Sequence, residues 1–249
     1  MSGHSKWSSI KHKKGAVDAK RGVLFTKLAR AIQVAAREGG GDPVGNAALA
    51  NAVQKAKDSR MPKDNIERAI AKGTGADADA DAFETVVYEG YGPDGVAILV
   101  ESLTDNRNRT GSDVRHLFNR FGGSLGEPGS VAWVFEKRGV VLVDAERYSE
   151  DDLMAAIDAG ADDVTQDESV LEVLTQPGDL QAVREALEAA GVDIERAELT
   201  LRPTSRVEVD DDRVATLLRL LEALEDNDDV SAVHANFDAD EAALERAAV

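Results

Sequence analysis

The residues of this sequence best suited to do chemistry are cations near its start. Lys6, Lys11, Lys13, Lys14, Lys20, Arg21, Lys27 and Arg30 fall within residues 1–30, against a single acid, Asp18. Side chains spaced in this way neutralise phosphates, and each contact releases counterions from a nucleic acid. Trp7 stands among them. An aromatic ring between cations suits stacking on an unpaired base, and it is equally suited to anchor the arm on neighbouring helices. The bland alternative for the stretch is a solvated terminal tail.

A second basic group lies in TDNRNRTGSDVRHLFNR, where Arg107, Arg109, Arg115 and Arg120 interrupt an acidic region. It begins where a strand gives way to a helix, and the free N–H groups of a helix start can hold a phosphate. The competing expectation is internal: Asp105 and Asp113 pair with these arginines and fix the turn. The following FGGSLGEPGS reads as a flexible turn, although its glycines would also let a backbone approach a phosphate.

Other chemistries find little support. There are no cysteines, and His4, His12, His116 and His234 lack metal-ligand spacing. No G-x-S-x-G elbow is present. GTGADA, from Gly73 to Ala78, fits G-x-G-x-x-A formally, but it follows a helix end and opens no helix, which fails the dinucleotide condition. No catalytic residue, metal site, cofactor or small-molecule substrate is expected, and the chain does not read as an enzyme.

These candidates sit on a chain of divided charge. Residues 1–75 hold 15 bases and 6 acids, a balance of +9; residues 76–249 hold 14 bases and 41 acids, a balance of −27. Most of those carboxylates are expected simply to be solvated. Opposite signs in two parts of one chain nevertheless suggest an electropositive module on a body that repels polyanions. With 249 residues, 43% hydrophobic and 31% charged, the composition is that of a globular protein of two or three domains. No apolar run approaches the roughly 18 residues of a membrane span. GVLFTKLARAIQVAA is amphipathic and interrupted by Lys27 and Arg30, unlike a secretory signal, so a cytoplasmic location is expected.

The elements that must position these residues follow from period and punctuation. Leu24, Leu28, Ile32 and Ala35 give a helical stripe that Gly39-Gly40-Gly41 ends. Leu49, Val53 and Ala56 mark a second helix, about 46–60, and Ile66, Ala69 and Ile70 a third, opened by Pro62 and closed by Gly73. After the linker ADADADA the period falls to two. Phe83–Glu89 and Val96–Ser102 read as a hairpin around YGPDG, followed by a helix from Arg109 to Phe121 and a strand at Val131–Phe135. Residues 138–202 then hold a complete β-α-β-β-α-β order, including a short strand near DDVTQ and a capping-box variant at Ser149 and Asp152. After Pro203 a strand, an amphipathic helix and a strand supply what 83–137 lacks. The expected class is α+β: an N-terminal three-helix domain followed by two ferredoxin-like α/β domains, one inserted into the other. The boundaries are 1–75 for the basic arm and helical domain, 83–137 plus 203–240 for the discontinuous domain, and 138–202 for the insert.

GHSKW, IKHKK, DAKRG, LFTKLAR, MPKDNIERAI, YEGYGP, GVAILVE, LTDNRNRT and LGEPGSVAW together make the chain similar to the YebC/PmpR family of probable transcriptional regulatory proteins. That family includes a mitochondrial translational activator of cytochrome c oxidase subunit I. The likeness runs from Met1 to about Phe135; beyond that it rests on element order. Ser8-Ser9, Arg60 and Val134 depart from the usual pattern without removing a basic residue. The resemblance implies a non-enzymatic regulator of gene expression that binds nucleic acid. One form acts on translation through ribosomal RNA or the ribosome, or on transcription as a DNA-binding protein; the alternative is a strictly sequence-specific DNA-binding regulator with no ribosome role. Lys6, Lys11, Lys13, Lys14, Lys20, Arg21, Lys27 and Arg30 would neutralise phosphates, Trp7 would stack or anchor, and Arg107 and Arg109 would form a second surface.

Overall fold

Three helices open the computed structural model, which describes residue 7 and residues 18–75, 83–167 and 170–247. Helix α1 (Asp18–Gly39) turns Leu28, Ile32, Ala35 and Ala36 onto α2 (Ala47–Asp58) and α3 (Lys63–Thr74). They meet Leu49, Val53 and Ala56 of α2 and Ile66 and Ala69 of α3. Leu24, expected in this stripe, stays largely exposed. Gly40 ends α1 at φ +87, a left-handed conformation that costs glycine no Cβ clash. Asn46 ties the first two helices together. Its Oδ1 accepts from Leu49 N at 3.0 Å, capping α2, while its Nδ2 donates to Ala35 O at 2.7 Å and Gly40 O at 2.9 Å. Gly73 has a packing role: a Cβ there would lie 2.3 Å from Gln33 O, so α1 and α3 cross where only glycine fits. That is the physical meaning of the first glycine of GTGADA.

Strands β1 (Glu84–Tyr91) and β2 (Ala97–Thr104) form an antiparallel hairpin in register from Glu84↔Thr104 to Tyr91↔Ala97. Helix α4 (Arg107–Arg120) and the short β3 (Ser124–Leu125) follow, β3 pairing with β1. The strand expected at Val131–Phe135 is instead a 3-10 turn, Ala132–Val134, after which β4 (Phe135–Asp144) begins. The reason is that the N–H groups of Val131 and Ala132 are taken by the Glu89 carboxylate, at 2.7 and 2.8 Å, and are lost to any ladder.

After β4 come α5 (Met154–Asp158), β5 (Ala161–Asp167), β6 (Val170–Thr175), α6 (Leu180–Ala189) and β7 (Ile194–Pro203). A 3-10 turn, Glu150–Leu153, leads into α5 behind a capping box in which Ser149 N donates to Asp152 Oδ2 at 2.8 Å. The stretch read as a short strand at DDVTQ belongs to the full seven-residue β5. The sheet order is β5-β6-β4-β7 with every pair antiparallel, the ferredoxin-like arrangement. Val141, Val143, Leu171 and Val173 alternate inward against Leu153, Ala156, Val183 and Leu187.

The chain closes with β8 (Val207–Glu208), α7 (Asp211–Glu225), β9 (Val230–Ala235), β10 (Phe237–Asp238) and α8 (Glu241–Ala247). Strand β9 pairs with β2, giving a second four-stranded sheet, β3-β1-β2-β9, while β8 and β10 form a parallel pair. In this sheet a hairpin occupies the middle, whereas the other has strands joined through a helix and a third strand there. Ile98, Val100, Val233 and Ala235 face α4 through Val114 and Phe118, and α7 through Leu217, Leu220, Leu221 and Leu224. By its internal contacts the chain divides into two compact units, Phe135–Thr204 and the segments flanking it.

Candidate nucleic-acid interface

Lys6, Lys11, Lys13 and Lys14 lie outside the described residues, and of Lys20 and Arg21 only the helical backbone of α1 is described. Trp7 has a definite place. Its side chain is 5% exposed and joins the apolar core under α4 and α7, with Val209, Leu217 and Phe237 in the same cluster. A ring sunk in this way cannot stack on a base. The stacking role is therefore corrected to that of an anchor, docked on the α/β core rather than on the three helices.

Lys27 and Arg30 lie on the polar side of α1, and each is engaged. Lys27 Nζ donates to Glu225 O at 2.5 Å, and Arg30 Nη1 to Asp228 O at 2.7 Å. Arg30 also pairs with Asp229 Oδ1 at 3.3 Å and lies over the Phe83 ring, 5.1 Å from its centre. Burial pushes the Lys27 ammonium below its ordinary pKa, opposed by Asp228, Glu225 and Asp226 nearby. These two cations face the protein's own acidic turn. Sequence spacing gives no sign of the contact, because its partners are separated by 198 positions.

At the second cluster the structure separates two neighbours. Asn106 caps α4, its Oδ1 accepting from Arg109 N at 3.1 Å. The Arg109 guanidinium holds Asp105 Oδ1 and Asp229 Oδ2, both at 2.7 Å. The Asp105 pairing is thus internal, as the competing expectation had it; Asp113 makes no such bond among the described residues. The partner missed by sequence reasoning is Asp229, only 6% exposed, which also accepts from the Thr110 hydroxyl at 2.7 Å. Burial raises its pKa, yet the donors Arg109 and Thr110 and the charges of Arg109 and Arg30 outweigh it and hold the carboxyl below its usual value. Arg107, one turn-position away, is exposed and makes no side-chain hydrogen bond or ion pair among the described residues. Arg115 is likewise exposed, and Arg120 lies over Phe121 at 5.4 Å.

The turn after β3 is not loose. Glu89, 7% exposed, accepts from Gly129 N at 2.6 Å as well as from Val131 and Ala132. The same turn carries Trp133, 74% exposed, its Nε1 donating to Ser130 O at 3.0 Å. Tyr91 Oη donates to the same oxygen, also at 3.0 Å. The motifs YEGYGP and LGEPGSVAW are thus two halves of one construction. No group of acids and histidines fit to hold a metal occurs among the described residues, and none of their helices is long and apolar enough to cross a membrane.

Comparison with known proteins agrees with this architecture. Residues 5–76 match the TACO1/YebC protein N-terminal domain, and residues 83–237 match the TACO1/YebC second and third domain. The chain belongs to the TACO1/YebC family. A relative from Rubrobacter xylanophilus is 58% identical over 97% of both chains, and one from Desulfotalea psychrophila is 56% identical over 100% of both. Each is named a probable transcriptional regulatory protein. Among solved structures, a conserved hypothetical protein of Aquifex aeolicus matches with a TM-score of 0.81 at 48% identity, covering 90% of this chain and 93% of that one. This TACO1/YebC chain thus shares its fold with that protein.

Proposed function

We propose that this protein is a cytoplasmic, non-enzymatic regulator of gene expression that binds nucleic acid through its basic N-terminal arm and acts on ribosomal RNA. The observation that carries the reading is the division of charge, +9 in residues 1–75 against −27 beyond. A duplex passing along the molecule would meet the acidic part and be repelled, since like charge costs affinity along an extended contact. RNA that surrounds a factor in patches lets the arm and Arg107 each reach phosphate while acidic surface faces protein or solvent. In this reading Lys6, Lys11, Lys13, Lys14, Lys20 and Arg21 carry the electrostatic contact, Trp7 fixes the arm to the body, and Arg107 is the available cation of the second surface. Arg109 supports it by holding the helix start.

The names of the relatives favour a second reading, a DNA-binding transcriptional regulator. The two part on one experiment. Purified protein should co-sediment with ribosomes and bind random duplex DNA only at ~10⁻⁴–10⁻⁶ M at physiological salt. Changing Lys11, Lys13 and Lys14 together to Glu should abolish ribosome association, and Arg107→Glu should weaken it. A single DNA site held ~10³-fold above random sequence, with no ribosome association, reverses the order of the readings.

A further inference from the structure

Helix α1 has two working faces. One packs into the three-helix core through Leu28 and Ile32. The other runs through Lys27, Arg30, Val34 and Arg37, spaced three and four apart and therefore on one side of the helix. Val34 is its buried apolar member. Arg37 Nη2 donates to Phe83 O at 2.5 Å, and Lys27 and Arg30 reach the turn that ends α7. That turn reads Glu225, Asp226, Asn227, Asp228, Asp229, with four acids in five residues. Asp229 gives Oδ2 to Arg109 and Thr110 and Oδ1 to Arg30. The other three acids surround Lys27 with negative field, and main-chain oxygens of Glu225 and Asp228 take the hydrogen bonds.

We infer that the Lys27–Arg30 face of α1 is a second nucleic-acid surface, covered here by the acidic turn Glu225–Asp229, which stands in for a phosphate backbone. The inference rests on the nucleic-acid reading above and adds a regulatory step to it. Carbonyl oxygens of Glu225 and Asp228 and the Asp229 carboxylate meet an ammonium and a guanidinium at hydrogen-bond distance, within the field of the turn's acids, as phosphate oxygens would. Beside the buried Val34 the joint is made of hydrogen bonds and an ion pair, and among the described residues the apolar cluster of the three helices and that of the α/β core are separate. Polar, ion-paired joints between folded parts are weak and salt-sensitive, and motion across them is the ordinary expectation. A polyanion anchored first by the arm displaces the turn and takes over Lys27 and Arg30. A solitary encounter with bulk nucleic acid has to compete with it.

The test uses the full chain, a labelled single-stranded RNA and a random duplex DNA as probes. Glu225→Gln, Asp226→Asn and Asp228→Asn together should tighten binding by about 5- to 30-fold, the scale expected when the acidic field around Lys27 and Arg30 is relieved and both can meet phosphate. Neutralising Glu150, Asp151 and Asp158, which belong to the other unit, changes net charge equally and should give no more than about a 2-fold gain, because a change of net charge alone is screened by salt. The gain should vanish when Lys27→Ala and Arg30→Ala are combined with the turn variant, the non-additivity expected of neighbouring charges in one network. In the wild-type protein, amide exchange over residues 225–230 should quicken when nucleic acid binds. A gain matched by the control, a gain that survives without Lys27 and Arg30, or slowed exchange in the turn overturns the inference. If wild type binds through Lys11, Lys13 and Lys14 yet ignores the turn variant, this inference alone fails. If neither protein binds either probe or the ribosome, the functional reading fails with it.

Discussion

Replacing Glu89 by Gln should loosen the turn that carries Trp133 far more than an isosteric exchange on a surface would. The Glu89 carboxylate accepts three backbone N–H groups, Gly129 on Oε1 and Val131 and Ala132 on Oε2, at 2.6–2.8 Å. Glutamine keeps one acceptor oxygen, which serves the two-donor side, and turns an NH₂ toward Gly129 N. One bond is lost and two lose the benefit of charge. With hydrogen bonds to charged groups worth about 1.5–3 kcal/mol, and part of the turn able to recover water, the loss should be about 2–4 kcal/mol. That is a large share of the roughly 5–15 kcal/mol that stabilises a domain. Urea unfolding gives the energy, and amide exchange at Gly129, Val131 and Ala132 gives the location.

The pH dependence fixes the sign. Burial pushes the Glu89 carboxyl up, but the three N–H donors outweigh it and leave the folded pKa below its ordinary value. The contribution is therefore complete above the ordinary carboxyl range and is lost as pH falls through the lowered folded value. Wild type and Glu89→Gln should converge in acid. Equal stability at pH 7 with unchanged exchange at the three amides, or a gap that widens in acid, refutes the reasoning.

Trp7→Ala should destabilise the α/β core by about 3–5 kcal/mol, as removal of a buried aromatic does, whereas Trp7→Leu, apolar but without a ring to stack, should leave nucleic-acid affinity of the folded protein within about 2-fold, against the ~1–3 kcal/mol that loss of base stacking would cost. Greatly weakened binding by a folded Trp7→Leu protein would restore the stacking role. Residues 135–204, which we read as the inserted domain with the narrower limits 138–202 set by sequence pattern, should unfold cooperatively when expressed alone; a chain without far-ultraviolet dichroism refutes that. Gly73→Ala should lower the stability of the helical part by about 1–3 kcal/mol, through overpacking against the Gln33 carbonyl; thermal melts that coincide with wild type would count against the close crossing.

Local rules made much of the fold legible. The stripes Leu49–Val53–Ala56 and Ile66–Ala69, the glycine stop after α1 and the period-two run of β1 and β2 each depend on neighbours a few positions away, and each appears in the structure. What pattern missed depends on distant partners. The Val131–Phe135 alternation is strand-like, but Glu89, some forty positions earlier, removes its donors. Trp7 between lysines looks solvent-facing, yet it is buried in a cluster whose other members run from Val96 to Leu244. Arg107 and Arg109 are equivalent on composition, and it is the pairing of Arg109 with Asp105 and the distant Asp229 that distinguishes them. The acidic turn itself could be seen in the sequence; its pairing with α1 could not.

The place of β9 also sets an order in time. Ala97 N bonds Asn236 Oδ1 across 139 positions, so the sheet begun by β1 and β2 waits for nearly the whole remaining chain. At roughly 5–20 residues per second of synthesis, that wait is on the order of ten seconds. Meanwhile all the strands of the β5-β6-β4-β7 sheet have emerged, and the Phe135↔Pro203 pair brings its two chain ends side by side. A long loop is thereby shortened before the hairpin has to close it, and loop closure costs less for a shorter loop. The inserted sheet is in this sense a chaperone written into the chain. Weakening it should lower the yield of protein whose first sheet is correctly completed, even where the changed residues touch nothing in that sheet.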